Sequence, residues 1–338
     1  MDEPIEPILR ADGLVKTYAP SDTLVSRLRH RGSVPSLRPA LGGVSFSLTQ
    51  GESLGVVGES GSGKTTLARC LTLLERPDAG HVFFRGQELT ALKGDGLRRV
   101  RRGIQVIFQD PYSSLNPRIR VGDALSEVLR VHHLVPKDQV GNRVRELLEQ
   151  VGLPSRAAGD YPSDFSGGQR QRICIARALA AEPEVLIADE AVSALDVSIQ
   201  AQILNLFLDL REELGLSMIF VSHNLYVVRH VSQRVAVMFG GRIVEILPRG
   251  VPLEAAQHPY TQALLAAVPT LDGTSGPTAK ETTTDVSGTL PLVGCPYRDR
   301  CPHAFEPCAE IDPDLEPLEP GHMAACHYVA RSFVRKSS

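Results

Sequence analysis

A chain of 338 residues, 42% hydrophobic and 22% charged, has ample material for a buried core, and its size points to one large unit with an appendage. A formal charge of -3 gives no global attraction to nucleic acid, and no apolar run reaches the ~18 residues of a spanning helix. The acidic, proline-bearing start "MDEPIEPILR" is unlike an export signal, so a soluble, unexported protein is expected, in which clustered thiols serve as metal ligands rather than bridges.

Residues 7–18 and 40–49 read as short strands, the second alternating apolar and polar positions. Between them "SDTLVSRLRHRGSVPSLRP" carries Arg27, Arg29, Arg31 and Arg38 with little apolar pattern, which predicts a basic, solvated loop. "SLGVVG" predicts a buried strand, followed by a glycine-rich turn and a helix from about Lys64. Val144, Leu147, Leu148 and Val151 recur at i, i+3, i+4 and i+7, one face of a helix in a helical middle third. Another helix follows "SGGQ", and the nearly continuous apolar run "EVLIAD" predicts a parallel strand covered on both faces. Ile199, Ile203, Leu206, Phe207, Leu210 and Leu214 form the stripe of a further helix ending at Gly215. "SMIFVSH" and "RVAVMFGGRIVE" supply more strands, and the alternation of strands with helices predicts an α/β domain with a mainly parallel sheet. The Gly, Ser and Thr rich stretch 271–290 predicts a linker, and a cysteine-bearing region fills 291–338.

The chemistry is carried by "GESGSGKTT", which is Gly58, Glu59, Ser60, Gly61, Ser62, Gly63, Lys64, Thr65 and Thr66, the pattern of a P-loop. Its glycines let backbone N–H groups turn inward around phosphates, Lys64 brings a point charge to them, and Thr65 offers a hydroxyl to magnesium. Asp189 ends an apolar strand where its carboxylate can reach the same ion, and Glu190 beside it is placed to polarise an attacking water. "FSGGQRQR" sets Ser166, Gly167, Gly168 and Gln169 at the start of a long helix, a second phosphate cradle. Two cradles and one nucleotide per chain make sense if the second serves a neighbouring chain.

These motifs together resemble the ATPase subunit of ATP-binding-cassette (ABC) transporters over about residues 7–270. The resemblance implies a RecA-like P-loop NTPase core with an antiparallel β subdomain, a helical subdomain at about 110–170, and residues 1–270 as the nucleotide-binding domain. It further implies that Tyr18 stacks on adenine, that Gln109 contacts magnesium and relays to a membrane subunit, and that Asp196 of "SALD" lies on a loop crossing the dimer interface. His223 of "VSHN" corresponds to the histidine sensing the γ-phosphate, so that Glu190, His223, Lys64 and Gln109 form the catalytic set. Phe165 departs from the usual leucine, and Ala191 and Val192 depart from the usual Pro-Thr; both changes leave the phosphate-facing groups in place.

"QDPYSSLNPR" after Gln109 and "HPYTQALLAAVP" near residue 260 resemble importers of dipeptides and oligopeptides within that family. The implied protein lies peripherally on the cytoplasmic face of the membrane. Its partners are a second, non-identical ATPase subunit, two permease subunits and, indirectly, an extracytoplasmic binding protein, with no nucleic acid. The basic insertion at 21–39 would then be solvated or touch lipid or a membrane subunit. A homodimer, nickel-chelate import, or a non-transport cassette ATPase are the competing readings.

Cys295, Cys301, Cys308 and Cys326 put four of six cysteines within 32 residues, whereas Cys70 and Cys174 sit on predicted helices as small buried hydrophobes. Spacings of five, six and seventeen intervening residues do not match short zinc loops, and four thiolates suit either zinc or an iron–sulfur cube. The tail resembles that of peptide-importer ATPases, which implies a 4Fe-4S cluster in some members. The expectation is therefore a structural 4Fe-4S staple, with zinc or metal-free thiols as alternatives and His303, His322 or His327 as substitute ligands.

Overall fold

Alternation of buried and wet positions along β1 (Leu9–Lys16) and β2 (Leu41–Leu48) puts Leu9, Ala11, Leu14, Val44, Phe46 and Leu48 on a dry face. β3 (Ser53–Val57) is buried along its whole length and leads through the glycine-rich turn into α1 (Lys64–Leu71). β4 (Ala79–Phe84) and β5 (Gln87–Glu88) complete an antiparallel sheet of order β2-β1-β4-β5. Its dry face shares one apolar cluster with Leu67, Ala68, Cys70 and Leu71 of α1. This computed structural model describes residues 6–18, 38–267 and 291–336; the expected linker 271–290 and most of the basic segment, with Arg27, Arg29 and Arg31, lie outside the described residues.

After α2 (Gly94–Gly103) and β6 (Ile104–Ile107), the chain is helical through α3 (Pro111–Ser114), α4 (Val121–Val131) and α5 (Val140–Gln150). Two 3-10 turns, Ser155–Gly159 and Pro162–Asp164, close this part. Val144, Leu147, Leu148 and Val151 are all buried and share an apolar cluster with Leu125 and Leu129 of α4, as their spacing requires. Then follow α6 (Gly167–Leu179), β7 (Val185–Asp189), α7 (Val197–Leu214), β8 (Ser217–Ser222), α8 (Leu225–Val231), β9 (Arg234–Phe239) and β10 (Arg242–Leu247). α7 buries Ile203, Leu206, Phe207 and Leu210 and stops at Gly215, which takes the left-handed conformation (φ 63°); Leu214 in the last turn is exposed.

The central sheet runs β11-β12-β10-β9-β3-β8-β7-β6, where β11 (Glu316–Glu319) and β12 (His322–Ala324) come from the C-terminal region. β9, β3, β8, β7 and β6 are parallel, and β10, β12 and β11 extend the sheet antiparallel. Parallel strands present their carboxyl ends to one side, so the loops after β3, β6, β7 and β8 emerge together. α9 (Pro259–Ala266), α10 (Pro307–Glu310) and α11 (His327–Lys336) complete the described chain. Among the described residues no helix is long and apolar enough to cross a membrane.

The residues after 291 are too few for a core of their own and use the main one. Cys295, Tyr297 and Cys308 belong to the apolar cluster of the central sheet, and β12 pairs with β10 through Glu245↔Ala324 and Ile246↔Met323. Arg38 departs from the solvated loop expected of its segment: its side chain is 8% exposed and donates to the Gly294 carbonyl (2.8 Å), with Asp312 at 3.4 Å.

Candidate functional site

The turn from β3 to α1 is tight, and at two of its three glycines there is no room for a side chain. A Cβ on Gly58 would sit 2.2 Å from the Met238 carbonyl oxygen of β9, and one on Gly63 would sit 2.3 Å from that of Ala40. Gly63 is also the N-cap of α1 with φ 102°, a conformation costly to any other residue. Lys64, 5% exposed, donates from Nζ to the carbonyls of Gly58 (2.7 Å) and Glu59 (2.9 Å), with Ser62 Oγ at 3.5 Å. Burial pulls its pKa down, and Glu190, Asp189 and Glu59 oppose that pull. The loop thus holds a desolvated ammonium in a fixed place, where its charge acts with little screening.

Thr65 Oγ1 lies 3.4 Å from Asp189 Oδ1 at the end of β7. Burial raises the Asp189 pKa, the Thr65 hydrogen bond lowers it, Glu190 adds to the rise and Lys64 opposes it. A hydroxyl and one carboxylate at this spacing suit magnesium, which keeps several phosphate or water ligands of its own. The next residue, Glu190, has φ 49°, a strained conformation for a non-glycine, held by its N–H to the Val221 carbonyl (2.9 Å). This turn brings Glu190 Oε1 to 4.0 Å from His223 Nδ1, just past the end of β8, where Asn224 caps α8 through the N–H groups of Tyr226 and Val227. Gln109 Nε2 donates to Ser193 Oγ (3.2 Å), and that hydroxyl donates to the Glu190 carbonyl (2.9 Å). The loops after β6, β7 and β8 therefore converge on Glu190, the first through its backbone carbonyl and the last beside its carboxylate.

Tyr18, 44% exposed, lies beside the same loop: its hydroxyl is 3.3 Å from Thr66 Oγ1 and bonds to Glu75. Ser166 and Gln169 behave differently. They form a reciprocal capping box on α6, Ser166 N–H to Gln169 Oε1 (3.0 Å) and Gln169 N–H to Ser166 Oγ (3.4 Å), and bond to each other rather than to the P-loop. Gly168 is required for packing, since a Cβ there would meet Ile199 of α7 at 2.4 Å. Asp196 is the N-cap residue of α7 with no side-chain cap bond.

The tail leaves one expectation without support. All six cysteines are free, yet among the described residues no group of three or more His, Cys, Asp or Glu is arranged to hold a metal ion. The 4Fe-4S cluster, and zinc in its place, is unsupported by this arrangement. Cys295 and Cys308 are buried apolar packing, and burial pushes the Cys295 thiol up to about 11, as it does for Cys70 and Cys174. The histidines are committed elsewhere, His322 to Glu245 (2.8 Å), His327 to the Ile311 carbonyl (2.9 Å) and His303 stacked on Tyr328 at 4.2 Å. The region after 291 is too small to fold alone, and docking on β10 answers that need.

Two residues that sequence reading missed touch the P-loop. Tyr260, fully buried, accepts the Glu59 N–H at its hydroxyl (2.9 Å), and Arg300 grips the Glu59 carboxylate. Tyr260 lay in the quoted "HPYTQ" stretch, but no local signal ties either residue to position 59.

Comparison with known proteins agrees with this geometry. The ABC transporter family profile matches residues 41–193, and that of the oligopeptide/dipeptide transporter C-terminal region matches 244–308. The chain is 44% identical to the di/tripeptide transport ATP-binding protein DppF of Pseudomonas aeruginosa over 329 residues, 96% of this chain and 98% of that one. It is 46% identical to the oligopeptide transport ATP-binding protein AppF of Bacillus subtilis over 294 residues, 85% and 89% of the two chains. Among solved structures, the dimeric post-hydrolysis state of the ATP-binding cassette MJ0796 bound to ADP and Pi matches with TM-score 0.60 and 28% identity, over 72% of this chain and all of that one. A P-loop at the mouth of a parallel sheet, a helix-capping Ser-Gly-Gly turn apart from it, and relatives this similar end to end make the chain a member of the ABC transporter family, among its peptide-transport ATP-binding proteins.

Proposed function

We propose that the chain binds ATP at Gly58–Thr66 and hydrolyses it as one of two ATPase subunits driving import of dipeptides or oligopeptides. The observation that carries this reading is the meeting of Lys64, Asp189, Glu190, His223 and Gln109 at the carboxyl ends of adjacent parallel strands. Residues 1–270 act as the nucleotide-binding domain, with 110–170 as its helical part and 291–338 as an appended tail.

In this reading Tyr18 stacks on the adenine, and the N–H groups of Ser60–Thr66 with Lys64 hold the phosphates. Thr65, Gln109 and Asp189 hold magnesium, which when bound neutralises charge on the phosphate oxygens. Glu190 accepts a proton from the water that attacks the γ-phosphorus, as the bond to the leaving ADP oxygen breaks; general-base help of this kind is worth about 10²–10⁴ in rate. His223 orients that carboxylate and the γ-phosphate, and Gln109 and Ser193 keep the Glu190 turn in its strained form. Ser166–Gln169 and Asp196 are the parts one chain lends to its partner's nucleotide. The self-contained capping box of Ser166 and Gln169 supports this, as does the similarity to a cassette whose dimer holds ADP and phosphate. The partner is a second, non-identical ATPase chain. The pair docks on two permease subunits at the cytoplasmic face of the membrane and is served indirectly by a binding protein.

In the reconstituted transporter, Glu190→Gln should abolish ATP turnover and leave ATP binding intact; persistent turnover would remove the assigned base. Ser166→Ala should lower turnover without lowering ATP affinity in the isolated chain. Turnover by the isolated chain at full rate, indifferent to dilution, would end the shared-site reading.

A further inference from the structure

We infer that Arg300, on the C-terminal tail, is a positioning residue for nucleotide binding: it neutralises and orients Glu59, so that ATP meets a P-loop free of uncompensated negative charge. The inference rests on Gly58–Thr66 being the loop that takes ATP.

Glu59 is the second residue of the loop, and a carboxylate there opposes a polyphosphate by simple repulsion. Arg300 answers it with a fork, Nη1 to Oε2 and Nη2 to Oε1, both 2.8 Å, across 241 residues of chain. Bidentate guanidinium–carboxylate pairs are the strongest and most orienting of charge-assisted bonds. The pair is only partly exposed, 36% for Arg300 and 27% for Glu59, so solvent screens it incompletely.

The arginine is itself held. Its guanidinium carbon lies 5.5 Å from the Tyr297 ring centre and 5.7 Å from that of Phe239, both buried. Tyr297 in turn meets Phe239 edge-on at 5.3 Å and Tyr260 at 5.4 Å. Every polar group of Glu59 is thereby engaged: the N–H by Tyr260, the carbonyl by Lys64, the carboxylate by Arg300. Glu59 is the joint between the tail and the ammonium that meets the phosphates. An ordinary surface ion pair is worth little, and its loss would leave KM for ATP unchanged.

The test is ATP kinetics of the assembled transporter with Arg300→Ala, Arg300→Lys, Glu59→Gln and the double variant Arg300→Ala/Glu59→Gln. Arg300→Ala should raise KM for ATP about tenfold, more at low salt, with kcat within about twofold of the parent. Arg300→Lys should recover part of the loss, a point charge replacing a fork. The double variant should return to within about twofold of Glu59→Gln alone, because the charge that Arg300 cancels is gone. A KM for Arg300→Ala within about twofold of the parent, or an equal loss in the Glu59→Gln background, overturns the inference. Arg300→Lys keeps the aliphatic stem beside Tyr297 and Phe239, so paired with Glu59→Gln it keeps the comparison valid if Arg300→Ala melts early. A parent that hydrolyses no ATP sinks the ATPase reading and this one together, whereas a parent that hydrolyses ATP and ignores these substitutions sinks the clamp alone.

Discussion

Glu245 offers the sharpest test of how the tail is held. It is fully buried on β10, and its carboxylate takes three donors: Gln257 N–H (2.7 Å), His322 Nε2 (2.8 Å) and His258 N–H (3.3 Å). One side chain therefore joins the central sheet, the turn before α9 and the tail strand β12. Glu245→Ala strips the acceptor from all three at once. At ~1–3 kcal/mol for each buried donor left unpaired, less the desolvation cost the carboxylate no longer carries, the unfolding free energy should fall by roughly 3–5 kcal/mol. That is a large share of the ~5–15 kcal/mol typical of a folded domain. Glu245→Gln keeps one carbonyl acceptor and should lose about half as much. Urea unfolding followed by far-UV circular dichroism measures the total, and hydrogen exchange at His322–Ala325 should accelerate first, because β12 is the element released. A Glu245→Ala chain within about 1 kcal/mol of the parent would show that water replaces the carboxylate without cost, and would refute the pin.

Gly58→Ala puts a Cβ 2.2 Å from the Met238 carbonyl, so the loop must shift, at roughly 1–3 kcal/mol of stability and with at least about tenfold weaker ATP binding by titration calorimetry. Unchanged affinity would contradict the close approach. His258, almost wholly buried, has its pKa pressed by desolvation to about 4 from 6.5, against the opposing pull of Glu245 and the Ala325 carbonyl. Between those values the unfolded chain binds a proton that the folded one refuses. Stability is therefore complete above about pH 6.5 and declines as pH falls towards 4, by roughly 3 kcal/mol, and a His258→Asn chain should show a flatter urea midpoint across that window. Tyr18→Ala should weaken ATP about 3–10-fold through lost ring stacking while Tyr18→Phe retains affinity; equal losses in both would assign the effect to the hydroxyl's contacts with Thr66 and Glu75 instead.

The turns and caps of the proposed nucleotide site are legible because their signals are local. Glycines at 58, 61 and 63 before Lys64, a buried run ending in Asp189-Glu190, and Ser166 three residues before Gln169 each dictate their own turn or cap whatever surrounds them. Period and apolar run length likewise told β3, β7 and β8 from α5 and α7. The tail was not legible in the same way. A buried cysteine and a metal-bound one are the same residue in a sequence, and no spacing shows that Cys295 and Cys308 join the core of the central sheet. Nor does any spacing rule bring Arg300 to Glu59 or His322 to Glu245, because the first pair depends on Tyr297 packing against Phe239 and Tyr260 and the second on β12 closing against β10. Residues a few positions apart meet by backbone geometry alone, whereas residues 241 apart meet only after a common core has formed, and that is where the tail acquires its hold on the phosphate loop.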